Sequence, residues 1–214
     1  RDNKLSDNRQ YIDQVSRVGK KISSAVEDYF RNEGMGERLK NYQWEFNVIQ
    51  SDQKNAWCMP GGKIAFYEGI MPVCQDDNGV AVVMAHEIAH AVARHGNERM
   101  SQQLSVQLGG MVLSEALEKE EETTRNLALA AFGLGSQVGL LLPYSRTHES
   151  EADELGLYFM AMAGYDPRGA PEFWKRMQAE GGSAPPEFLS THPHPENRIK
   201  NMEQHMPKAL EYYK

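Results

Sequence analysis

Tyr11, Val15, Val18, Ile22, Val26 and Tyr29 recur at steps of three and four. That spacing lays them on one face of an amphipathic helix within residues 1–35, ended near Gly34, Met35 and Gly36. From Tyr42 the period changes. Tyr42, Trp44, Phe46 and Val48 alternate with polar residues, the pattern of a half-buried strand. Asn55 to Met59 and Lys63 to Tyr67 flank Pro60-Gly61-Gly62, which predicts two strands joined by a tight turn and a small sheet over 42–67.

Helical spacing then returns. Val80, Val83, Met84, Ile88, Ala91 and Val92 form the apolar stripe of a helix over 77–96, with Asp76 or Asp77 as its cap. Two helical stretches near 101–118 and 124–141 make a hairpin over 101–142, separated by the acidic run Glu118 to Glu122, a solvated linker. A further helix covers 145–164. Asp166-Pro167 opens the C-terminal helices of 166–214, Gly181 to Pro186 is a loop, and Pro195 opens the last helix. Strands come first and helices later, so the fold class is α+β, helix-rich with one small early sheet, in a single domain of 214 residues.

Charge and cysteine content narrow the partners. The formal net charge is −7 and no block of Lys and Arg is present, which argues against nucleic acid. Cys58 and Cys74 do not form a CxxC pair, so a structural zinc knuckle is not expected. Spacing leaves open whether they form a disulfide or two buried thiols. The most apolar stretch, Leu127 to Leu142, contains Ser136, Gln137 and three glycines. It is a little short for a membrane span, which needs about 20 residues, and is expected to be a buried or interfacial helix. The chain starts at Arg1 without an initiator Met or an apolar leader, as expected of a processed or truncated product.

His86-Glu87-Ile88-Ala89-His90 is an HExxH motif. On a helix, positions i and i+4 lie one turn apart on the same face, so both imidazoles reach one ion. Glu87 lies beside them, placed to take a proton from a metal-activated water. A catalytic zinc site needs a third protein ligand. His95, His148, Glu149, Glu151, Asp153, His192, His194 and His205 are the downstream candidates. Glu149 and Asp153 share a helix face, so one can bind the metal while the other orients a ligating histidine.

These residues carry a resemblance. HEIAH, followed 59 residues after His90 by Glu149-Ser150-Glu151-Ala152-Asp153, resembles the signature of the minigluzincin zinc metallopeptidases. That family includes HtpX, the CAAX prenyl endopeptidase and the mitochondrial Oma-type proteases, and the chain most resembles the bacterial periplasmic BepA/LoiP type. Asn55-Ala56 with Pro60-Gly61-Gly62 resembles the family's edge strand and turn, and Thr191 to Arg198 resembles its late THPxxxxR segment.

The resemblance implies a zincin-like domain binding one zinc ion per chain through His86, His90 and Glu149, with Asp153 supporting a ligand. It implies that Glu87 is the general base and that Arg198 and His192 stabilise the oxyanion. In some periplasmic relatives the histidine matching His192 instead latches the metal shut. Asn55 and Ala56 would pair with an extended substrate backbone. The implied activity is endopeptidase cleavage of unfolded or damaged proteins in a bacterial periplasm or cell envelope. The alternative is a latched, mainly chaperone-like assembly factor. HtpX and the CAAX enzyme are integral membrane proteins. No clear span is visible in this sequence, which points to the soluble branch, many of whose members are lipoproteins. Peripheral or lipid-anchored membrane association would then run through an N-terminal segment outside this sequence.

Overall fold

The structure is a computed structural model and describes residues 4–180, 186–192 and 198–214. The loop expected at 181–186 lies almost wholly outside the described residues, as do His194 and the Pro195 helix start. The chain forms two compact units, one of Arg1–Ala93 with Glu149–Lys214, the other of Arg94–His148.

In the first unit, α1 (Arg9–Asn32) starts where Asn8 accepts a hydrogen bond from the Tyr11 N–H, and it buries Val15, Val18, Ile22 and Val26. Its Gly19 lies against the ring of Phe46, where a Cβ would have no room. The sheet contains β1 (Glu45–Ile49), β2 (Ala56–Met59) and β3 (Lys63–Tyr67) in the order β1-β3-β2. β1 runs parallel to β3, and β2 antiparallel. Gly61 and Gly62 both take positive φ at the turn between β2 and β3, a conformation that glycine adopts without steric cost. Residues 4–6 cover the outer side of β1: Ser6 N–H donates to Val48 O and Gln50 N–H to Lys4 O. β2 is the other edge strand of the sheet.

The short α2 (Met71–Cys74) leads into α3 (Asp77–Ala93), which is buried from Gly79 through Ala89. Asp76 is the cap: its Oδ1 accepts from the Gly79 N–H at 2.8 Å. The helix stops at Ala93, not at Gly96 as the stripe suggested. Arg94 turns left-handed (φ 65°), and two of the last carbonyls find side-chain donors. Tyr42 Oη donates to Ala91 O and Arg38 Nη2 to Val92 O, which satisfies groups that a longer helix would have bonded itself. α7 (Gly169–Ala179), α8 (Glu187–Thr191) and α9 (Arg198–Tyr212) complete this unit with buried Phe173, Trp174, Phe188 and Met202. Cys58 and Cys74 are free thiols, so no disulfide joins them.

The second unit is the helical hairpin. α4 (His95–Ala116) buries only His95, and α5 (Glu122–Ser136) buries nothing. The arms approach closely where Gly109 meets Phe132. His95 and His148 stack with ring centroids 4.4 Å apart, and His148 Nε2 lies 2.8 Å from Glu98 Oε2.

Two expectations for the apolar stretch are corrected here. It is not buried, and it does not end at Leu142. A π turn at Gln137–Leu141 connects α5 directly to α6 (Leu142–Met162). The turn comes just before Pro143, which has no N–H for the helical ladder, and the wider winding there lets the helix continue. The result is an unbroken helix, Glu122–Met162, with an 18-residue window of mean hydropathy 1.5, none of it buried. By length and composition this helix is able to cross a membrane.

Candidate metal centre

Two turns of α3 set the site. His86 and His90 lie one turn apart, with Nε2 atoms 3.1 Å apart and ring centroids 4.6 Å apart. α6 brings Glu149, whose Oε2 is 3.4 Å from His86 Nε2 and whose Oε1 is 3.4 Å from His90 Nε2. His192, just past α8, brings Nδ1 to 3.3 Å from His86 Nε2 and 3.2 Å from both Glu149 oxygens. These four residues offer one ligand atom each, all within 4.8 Å of one another.

The donor set fits a metal ion. Ligands about 2.1 Å from a tetrahedral zinc stand about 3.4 Å apart, close to the separations above. Three ring nitrogens and a carboxylate also suit zinc chemically. Three imidazoles converge on one carboxylate, and His86 and His90 are shifted in opposite directions. Burial lowers His90 to about 3. Burial would lower His86 too, but hydrogen bonds with Asp153 and Glu149 override it and raise His86 to about 9. Burial would raise the Glu149 carboxyl, yet hydrogen bonds from His192, His86 and His90 hold it far below the usual carboxylate range.

Glu87 points to the same side. It is buried, and burial raises its carboxyl above the usual value. Its Oε1 is buried without a hydrogen-bond partner, 3.3 Å from His192 Nε2. An acceptor kept without a donor in the interior costs about 1–3 kcal/mol, the mark of a group reserved for something else.

Behind the ligands stands a second layer. Asp153, one turn after Glu149 on α6, places Oδ1 3.1 Å from His86 Nδ1. A carboxylate only accepts, so Nδ1 carries the proton and Nε2 faces the cluster. Arg198 holds Asp153 with two arms, Nε to Oδ2 at 2.5 Å and Nη2 to Oδ1 at 2.6 Å. Its guanidinium lies 3.7 Å from the centre of the Trp174 ring, which itself packs on His86. Burial would raise the Asp153 carboxyl, but Arg198 and His86 keep it low.

The sequence-derived residues divide accordingly. His86, Glu87, His90, Glu149, Asp153 and His192 come together. Arg198 comes with them but is only 2% exposed, with two of its nitrogens committed to Asp153. Its Nη2 also lies 3.4 Å from Glu149 Oε2, and its Nη1 is buried without a hydrogen-bond partner. Asn55 and Ala56 lie at the start of the edge strand β2, outside the cluster. The Ala56 N–H is taken by Asn55 Oδ1 at 2.9 Å, so that donor is not open for strand pairing. Trp174 was missed. On α7 it belongs to an ordinary amphipathic stripe with Phe173 and Met177, and only the fold turns its ring toward His86 and Arg198.

Comparison with known proteins gives a consistent picture. The pattern of Peptidase family M48 matches residues 17–206. The Mitochondrial metalloendopeptidase OMA1 of Schizosaccharomyces pombe is 37% identical, over 80% of this chain and 49% of its own length. Its namesake from Saccharomyces cerevisiae is 37% identical, over 82% of this chain and 50% of its own. The Beta-barrel assembly-enhancing protease of Escherichia coli is 32% identical, over 73% of this chain and 33% of its own. The chain therefore spans about half or less of the length of these relatives.

Proposed function

The chain belongs to Peptidase family M48, and from that premise we propose that it is a zinc-dependent endopeptidase acting on unfolded or damaged proteins of a bacterial envelope. One observation carries the reading: four metal-donor side chains converge beside a buried carboxylate whose Oε1 accepts no hydrogen bond. His86, His90 and Glu149 would hold the ion, with Asp153 fixing the His86 ring. When bound, zinc supplies a Lewis acid that polarises the scissile carbonyl and acidifies a water.

The remaining work belongs to the chain. Glu87 takes the proton of the attacking water and returns it to the leaving amine. Its raised pKa suits both halves of that transfer. Edge strand β2 packs against α3, the helix that carries this base. An extended substrate laid along that strand would pass the base directly, and main-chain pairing favours unfolded polypeptides. Arg198 holds Asp153 in place through Nε and Nη2, and its unpartnered Nη1 is the nitrogen left for an oxyanion. The envelope assignment is carried over from the name of the Escherichia coli relative, which places that protein in β-barrel assembly.

Cleavage of an unfolded model protein tests the reading. Activity should disappear on chelation and return with added zinc. Activity that survives complete metal removal would sink it.

One observation favours a second reading. His192 offers a fourth donor, which on a bound ion would take the position that a substrate or water needs. In that reading the chain would be latched and would serve mainly as a chaperone-like assembly factor. His192→Ala should then raise proteolysis. Lower proteolysis would assign His192 to the oxyanion instead.

A further inference from the structure

The hairpin exposes what a water-facing hairpin conceals. Thirteen large hydrophobic side chains are exposed among the described residues, and all but Leu5, Met59 and Leu210 fall between Met100 and Tyr144. Leu127 is 73% exposed and Val112 70%. A surface helix ordinarily turns an apolar stripe inward and a polar face outward. The helix through α5 does not. Phe132 is set against Gly109 of α4, and Leu129 and Leu140 follow on its side at helical spacing. The outward side carries Leu127, Leu134, Val138 and Leu142, all exposed. Both faces are therefore apolar.

Length and charge identify what covers that outer face. Asp, Glu, Lys and Arg are absent from Asn126 to Ser145, a run of 20 residues bracketed by Arg125 and Arg146. At about 1.5 Å per residue it is about 30 Å long, the thickness of a bilayer's hydrocarbon core. Tyr144, 46% exposed, stands at one end, where aromatic rings favour the headgroup level. α4 is free of those four residue types from Met100 to Ser114, between Arg99 and Glu115. A second copy of the chain would need one apolar stripe. It would not require an apolar run matched to a bilayer or charges confined to its ends.

We propose that the hairpin of α4 and α5 inserts into a lipid bilayer, with the run 126–145 embedded in the hydrocarbon and the acidic tip around Glu118 to Glu122 beyond it. The membrane contact is then built into the segment joining the HExxH helix to Glu149. It is separate from any N-terminal anchor and does not depend on the peptidase reading.

Flotation of the full chain with neutral phosphatidylcholine vesicles in high salt tests the proposal, because the −7 chain gains nothing there from lipid charge. The wild type should float. Leu134→Glu with Val138→Glu should stay below, since one mid-membrane acidic residue lowers insertion about 50-fold or more. Both positions are exposed, so circular dichroism and thermal melting in lipid-free buffer should match the wild type. Trypsin added outside the vesicles should spare Lys119 and Arg125 in the floated protein and cut them in lipid-free protein. A wild type that fails to float overturns the proposal, including one that instead pairs with a second copy. Equal flotation of the double variant overturns it, as does tip cleavage unchanged by lipid.

Discussion

Glu87→Gln leaves a chain that holds its metal as the wild type does and cleaves an unfolded protein about 10²–10⁴-fold more slowly. Gln keeps the size and shape of Glu, so the local packing survives. What it loses is the ability to take a proton. Glu87 offers no donor atom to the four-residue cluster, so metal content should not change. Turnover by metal-loaded Glu87→Gln equal to that of the wild type would show that the proton goes elsewhere. The choice of Gln matters. An Ala variant would open space beside the metal and confuse lost chemistry with lost packing.

A graded loss of metal should follow substitutions on α6. Asp153→Asn lowers metal affinity about 10–100-fold, the usual effect of removing a ligand's hydrogen-bonded partner. Glu149→Ala should exceed that range, because it removes the carboxylate donor itself. Asp153→Asn also removes the carboxylate that meets Arg198 through two nitrogens and leaves only Glu149, 3.4 Å from Nη2, to balance that buried charge, so fold stability falls too. Circular dichroism of the metal-free variants separates the two losses. Equal metal affinity across all three proteins would remove Glu149 from the ligand set.

The same titration has a pH sign. His86 is raised to about 9 in the metal-free chain, so at neutral pH it carries a proton that the ion must displace. Wild-type affinity should therefore climb by roughly tenfold per pH unit up to about pH 9. An affinity flat from pH 6 to 9 would mean that His86 is already neutral.

Local spacing made much of this legible. The i, i+4 histidines, the Glu149–Asp153 pair and the stripe of α1 are helical-period features, and period survives into any fold that forms those helices. The alternation of Trp44, Phe46 and Val48 marked β1 for the same reason. What stayed hidden depends on contacts across the chain. Nothing near Arg198 in sequence announces that Asp153, 45 residues earlier, and Trp174 enclose it. Arg38 and Tyr42 end α3 from outside it, so its own stripe overran the true boundary. The apolar stretch of α5 was misjudged because composition shows how oily a helix is and not whether anything covers it.

The spacing of the four donors along the chain has a consequence for folding itself. They come from α3, α6 and the end of α8, with 59 residues from His90 to Glu149 and 43 more to His192. An ion bound there staples three distant stretches and closes loops that the unfolded chain would otherwise leave open. A cross-link across about 60 residues removes about 4 kcal/mol of unfolded-chain entropy. Stripped of its ion, such a chain loses those closures and lies closer to the unfolded polypeptides it is proposed to cut.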